Sequence, residues 1–128
     1  MKKWLFGVAF LALATLSTAQ AQEKQYTVIY VGGWDCGPCI AWKNNEKPAF
    51  VKSPQYAKVN YVEIDAPKLR EVYQEKYWPE KYRSVLQKTP DKFGTPRFIV
   101  LKGDEIVFNE RGSTPWTRAW AKIKEVVL

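Results

Sequence analysis

The chain has 128 residues, 46 % of them hydrophobic and 26 % charged, a balance that suits one folded domain and excludes a disordered or low-complexity protein. Its 20 Lys and Arg outnumber 13 Asp and Glu for a formal charge of +7, but the lysines are scattered among acids and no recognition motif accompanies them, which argues against nucleic-acid binding. Two cysteines are too few for a disulfide scaffold, and without histidine a zinc site, which takes about four ligands, is disfavoured.

In chain order, Lys2 and Lys3 precede a thirteen-residue apolar run over residues 4–16 and the small residues of Ser17-Thr18-Ala19-Gln20-Ala21. This is the pattern of a secretory signal peptide cleaved after Ala21; the run is shorter than the ~20 residues that span a bilayer. The expected divisions are residues 1–21 as leader and 22–128 as one domain. Without Lys2 and Lys3 the charge of +7 becomes +5. The reading places the protein in the periplasm, with no stable membrane insertion after cleavage.

Tyr26–Gly33 is an apolar, β-branched run that reads as a buried strand. Both cysteines follow it at once, in Cys36-Gly37-Pro38-Cys39. A Cys-x-x-Cys pair opening a helix behind such a strand is an arrangement suited to dithiol/disulfide exchange. The helix N-terminus favours a thiolate at the first sulfur, and Pro38 suits the first turn, where its missing N–H costs nothing. An inert structural disulfide is the alternative, although so small a ring constrains little unfolded-chain entropy.

The helix begun at Pro38 weakens near Pro48. Residues 60–65 read as a second strand. Residues 67–88 carry Leu69, Val72, Tyr73, Tyr82, Val85 and Leu86 at helical spacing, with Pro79 expected to break the segment in two; the bulk of it is expected to pack as helix on the sheet. Arg97–Lys102 and residues 105–109 form a hairpin around Lys102-Gly103-Asp104. A last helix over residues 114–127 follows a Ser113/Thr114 cap and sets Trp116, Trp120, Ile123 and Val127 on one face. The first two strands, joined by a crossover, should be parallel. The fold class is therefore α/β: a mixed four-stranded sheet in β-α-β-α-β-β-α order with helices on both faces.

Trp34-Asp35-Cys36-Gly37-Pro38-Cys39, the strand end Glu63-Ile64-Asp65, the run Gly94-Thr95-Pro96-Arg97-Phe98 onward to Asp104, and Arg111-Gly112 occur in the order of a thioredoxin-like domain. The chain resembles that family over nearly all of residues 26–128, in a minimal version lacking the extra strand and helix that open thioredoxin. The resemblance implies that Cys36 is the exposed nucleophile and Cys39 the resolving thiol. It implies a cis bond at Thr95–Pro96 facing the pair, with the backbone of Thr95 pairing with the substrate chain. Trp34, Gly37, Pro38 and Gly112 would line the same substrate surface, and no cofactor or metal is implied.

The chain also departs from the family. Asp35 stands where thioredoxin has tryptophan, and a carboxylate close to Cys36 would raise its thiol pKa. Thioredoxin's buried acid falls at Tyr30 and its lysine partner at Tyr61, so that proton relay is absent; water, Asp35 or Glu63 are candidate replacements. The segment between Asp65 and Pro96 is enlarged. Gly-Pro between the cysteines resembles the reducing type, whereas oxidants and isomerases of the fold often carry histidine there. The expected activity is reduction of protein disulfides by an exported thiol-disulfide oxidoreductase recharged by a membrane-embedded electron donor. A binding module with a redox latch and a disulfide-forming oxidase are the alternatives.

Overall fold

β-Branched and aromatic residues build a four-stranded sheet in the order β2-β1-β3-β4: β1 is Tyr26–Gly33, β2 Val59–Ala66, β3 Arg97–Lys102 and β4 Glu105–Arg111. The computed structural model describes residues 24–112 and 114–128. The leader expected over residues 1–21 and the Ser113 half of the expected cap lie outside the described residues. β1 pairs parallel with β2, Tyr30 opposite Glu63 and Gly32 opposite Asp65, and antiparallel with β3. The β3–β4 hairpin turns at Gly103, whose φ of 58° is one that glycine adopts without strain, and carries a bulge between Val100 and Leu101.

Alternation along β1 sends its side chains to two cores. Ile29 and Val31 face one side with Ile64, Ile99 and Leu101. Val28 and Tyr30 face the other, with Phe98 and Val100. Helices α1 (Gly37–Asn45), α2 (Lys47–Val51) and α4 (Pro115–Val126) cover the second side through Trp42, Phe50, Trp116, Ala119 and Ile123. The first helical region is thus two helices, with Pro48 in the opening turn of the second. Ile123 and Val127 are buried as the stripe on the last helix requires. Thr114 stands at the N-cap of α4 but its side chain makes no capping bond, correcting that half of the expectation.

The larger correction concerns residues 67–88. They cover the Ile29/Val31 side as expected, burying Val72, Trp78, Tyr82, Val85 and Leu86. Most of the segment is not α-helix: three separate 3-10 turns, Leu69–Glu71, Glu75–Tyr77 and Glu80–Tyr82, precede a single short helix, α3 (Arg83–Lys88). Leu69, Val72 and Tyr73 carry helical spacing, but the chain must follow the sheet while inserting Trp78, which a straight helix starting at Leu69 would not allow. Trp78 is 1 % exposed and its indole N–H donates to Val72 O at 2.7 Å, tying one turn to another. Among the described residues no helix is long and apolar enough to cross a membrane.

Candidate active site

The end of β1 and the start of α1 create the site. Cys36, in extended conformation (φ −97°, ψ 107°), is the N-cap of α1 and is disulfide-bonded to Cys39, one turn into the helix. Its Sγ accepts the Cys39 N–H at 3.2 Å, a cap provided by sulfur in place of the usual side-chain oxygen. The loop between α3 and β3 faces it. The Thr95–Pro96 peptide is cis, and Thr95 Oγ1 donates to Cys36 Sγ at 3.2 Å. Gly112 closes the same corner, its N–H donating to Pro96 O at 3.3 Å. Cys36, Cys39, Thr95, Pro96 and Gly112 are therefore brought together at one corner of the sheet.

Trp34 is 67 % exposed, and Gly37, Pro38 and Ile40 are exposed beside the disulfide. A groove of about 270 Å³ opens next to it, lined by Pro38, Trp42, Pro96, Phe98, Pro115 and Trp116. One expectation fails here. Cys36 is not an exposed residue: it is 2 % exposed in the disulfide-bonded form. As N-cap its side chain folds back over the first turn toward the Cys39 N–H and sulfur, and the Thr95 hydroxyl covers it from the opposite loop.

Asp35 does something other than sit over the thiol. Its carboxylate accepts the Leu69 N–H at 2.7 Å and so pins the first 3-10 turn to the loop before Cys36. Gly33 permits that approach, since a Cβ there would lie 2.6 Å from the Leu69 backbone.

Beneath the disulfide lies a polar cluster that sequence reasoning only half identified. Tyr30, fully buried, stacks on Trp42 at 5.0 Å between centroids and packs against Phe98. Gly32 leaves the space that the phenol tip occupies: a Cβ on Gly32 would fall 1.9 Å from Tyr30 Oη and 3.1 Å from Cys39 Sγ. Asp65, opposite Gly32 in the sheet, presents its carboxylate to the same face. Lys43 Nζ bonds Asp65 Oδ2 at 2.6 Å and reaches Glu63 at 3.4 Å, while Lys47 pairs with Glu63 and Tyr61 Oη donates to Glu63 at 2.9 Å. Burial raises the Tyr30 phenol well above its ordinary pKa, and the charges of Asp65 and Glu63 push it further, so it stays an O–H donor at any physiological pH. Burial likewise raises Tyr61, with Glu63 adding to it. Burial opposes ionisation of Glu63, but hydrogen bonds from Lys47 and Tyr61 and the charges of Lys47 and Lys43 outweigh it and hold that carboxyl below its usual value. Asp65 was legible only as part of a strand end; its register opposite Gly32 is what gives it a place under Cys39.

The sequence also missed Arg97. It heads β3, yet its side chain is 1 % exposed. The guanidinium donates to Tyr73 Oη (2.9 Å), Asn109 Oδ1 (2.5 Å), Asp91 O (2.6 Å) and Asp91 Oδ1 (3.0 Å). Tyr73 Oη in turn donates to Gly94 O at 2.5 Å, so the network ends on the residue before Thr95.

No protein-family model matches the chain, and no curated protein matches its sequence. Solved structures do resemble it. A thioredoxin from Malassezia sympodialis superposes with a TM-score of 0.57 at 17 % identity, over 82 % of this chain and 80 % of that one. Mitochondrial thioredoxin 3 from Saccharomyces cerevisiae, in its oxidised form, gives 0.55 at 19 % identity over 81 % of each chain. Schistosoma mansoni thioredoxin gives 0.53 at 22 % identity, over 83 % and 82 %. The fold is that of the thioredoxins. Within that thioredoxin fold, this chain carries a Cys-x-x-Cys disulfide at the N-terminus of its first helix.

Proposed function

We propose that the Cys36–Cys39 couple exchanges with disulfides of other proteins and that the chain works as an exported reductase. The observation that carries this reading is the placement of the disulfide at a helix N-terminus, 3.2 Å from the Thr95 hydroxyl of the facing Thr95–Pro96 loop. In the reduced protein the Cys36 thiolate attacks one sulfur of a partner disulfide, and the other partner sulfur leaves as a thiolate that takes up a proton. The Cys39 thiolate then attacks Cys36 Sγ, the Cys36–partner bond breaks, and the partner departs with two electrons gained. The chain is left with the Cys36–Cys39 disulfide.

Partial positive charge at the α1 N-terminus stabilises the attacking thiolate. The backbone of Thr95, beside the groove, offers an edge to which an extended partner segment adds. Trp34, Gly37, Pro38 and Gly112 supply the surrounding contact surface. The absence of histidine between the cysteines supports the reducing direction, since nothing there stabilises the dithiol form in the way of strong oxidants. The leader pattern supports export to the periplasm, where a membrane-embedded donor would return electrons to the couple.

The burial of Cys36 favours a second reading, a docking module whose disulfide is a latch. Insulin reduction separates the two. Dithiol-dependent turnover that Cys36→Ser abolishes supports the reductase, whereas partner binding indifferent to that change supports the module. Equilibration with glutathione tests direction: a potential near the ~−270 mV of thioredoxin supports reduction, and one near ~−120 mV makes the chain an oxidase.

A further inference from the structure

Two buried polar atoms beside the disulfide have no hydrogen-bond partner: Tyr30 Oη and Asp65 Oδ1. Orphaned groups of this kind are rare, because each forfeits its bond to water for nothing in return. Both lie on the sheet face under α1, and the phenol tip fills the space above Gly32, where a Cβ would also fall 3.1 Å from Cys39 Sγ. The neighbouring Asp65 Oδ2 is already held by Lys43, which leaves Oδ1 as the free oxygen of the carboxyl group. A disulfide sulfur has no proton to give and is a weak acceptor. A Cys39 thiol has one to give, and a Cys39 thiolate is a strong acceptor. The phenol already faces the Asp65 carboxylate, which helps to raise its pKa, and opening the disulfide supplies the thiol as its second partner.

We propose that Tyr30 and Asp65 form a proton path for Cys39, the phenol linking the thiol to the carboxylate. This rests on the exchange reaction proposed above. In the mixed disulfide, Cys39 S–H passes its proton to Tyr30 Oη while the phenol O–H proton moves to Asp65 Oδ1. The Cys39 thiolate attacks Cys36 Sγ, the Cys36–Cys39 bond forms, and the partner leaves as a thiolate. Asp65, whose side chain keeps 18 % exposure, then releases its proton to solvent and is again paired with Lys43. Tyr30 remains neutral before and after, as its buried setting requires, and serves as a bridge rather than as a base. The charged and titratable groups that face this path are Glu63 and Tyr61 from β2, Lys43 from α1 and Lys47 from α2. Of these, Lys43 is the one bonded to Asp65, and it holds that carboxylate in place.

The test follows resolution without a protein partner. Reduced protein is mixed with one equivalent of an aromatic disulfide, whose first thiolate appears as Cys36 attacks and whose second appears as Cys39 resolves. Tyr30→Phe, which keeps the ring and removes only the orphaned hydroxyl, should slow the second phase on the order of 10²-fold near neutral pH and leave the first phase unchanged. Asp65→Asn should slow the same phase and shift its pH profile to higher pH, and Asp65→Glu should restore part of the rate. A role confined to packing would move neither the second phase nor its profile. The proposal is overturned if both Tyr30→Phe and Asp65→Asn resolve at the wild-type rate with the wild-type pH profile, or if the first phase slows equally. Wild-type protein that resolves the aromatic disulfide but does not reduce insulin would instead sink the proposed function and leave the proton path standing.

Discussion

Gly32→Ala probes the packing on which the site depends. A Cβ there would sit 1.9 Å from Tyr30 Oη and 2.4 Å from Tyr30 Cζ, distances no pair of non-bonded atoms tolerates. The ring has nowhere to go, because Tyr30 is fully buried, stacked on Trp42 and packed against Phe98. Forcing one methyl into such a core costs about 1–3 kcal/mol, against which the stiffer unfolded chain returns about 0.4–1 kcal/mol. The expected net loss is about 1–2 kcal/mol, and each kcal/mol lowers Tm by roughly 4–8 °C in a domain near this size. Thermal unfolding of the oxidised protein by near-ultraviolet circular dichroism measures it. In a Tyr30→Val background the same substitution should cost almost nothing, giving a coupling energy of about 1–2 kcal/mol. Equal cost in both backgrounds, or no cost in either, would show that the phenol does not occupy the space beneath Cys39.

Arg97→Lys should lower stability by about 2–4 kcal/mol in urea unfolding, because an ammonium cannot span Tyr73, Asn109 and Asp91 at once; wild-type stability would leave the network without a structural role. Glu63 sits below its unfolded pKa, so its contribution is present above the ordinary glutamate range, near ~4.3, and is lost as pH falls through its lower folded value. Glu63→Gln should accordingly remove part of the acid-side fall in Tm and leave a shallower slope below pH ~4.3. An unchanged acid limb would contradict that assignment. Tyr30→Phe, which deletes an unsatisfied buried hydroxyl, should leave the oxidised protein at least as stable as wild type, by calorimetry; a large loss would mean that the hydroxyl has a partner in the disulfide form.

Apolar runs and turn signals in the sequence read the sheet well, because each strand is a local run with its own boundaries. Gly33 ends β1 and Gly103 marks the hairpin, and the parallel pairing of β1 with β2 follows from the crossover alone. Residues 67–88 were harder. Leu69, Val72 and Tyr73 bury apolar surface at helical spacing, and 3-10 turns give nearly the same spacing over three or four residues. The choice between them is made by Trp78, whose place in the core is a tertiary fact. At the site, the cysteine pair and the Thr95–Pro96 loop were legible as motifs. The burial of Cys36 was not, because it depends on the Thr95 hydroxyl arriving from fifty-nine residues away in the chain. Asp65 and Arg97 escaped for the same reason: a carboxylate at a strand end and an arginine at a strand start look like solvated surface until register and packing put them inside.

Trapping with the resolving thiol removed tests most directly whether a visiting disulfide reaches Cys36. Reduced Cys39→Ser protein incubated with insulin should yield a covalent adduct through Cys36, visible by intact mass and reversed by dithiothreitol. If the folded variant yields no adduct while its unfolded chain does, Cys36 is closed to partners and the exchange reaction proposed for this fold is wrong.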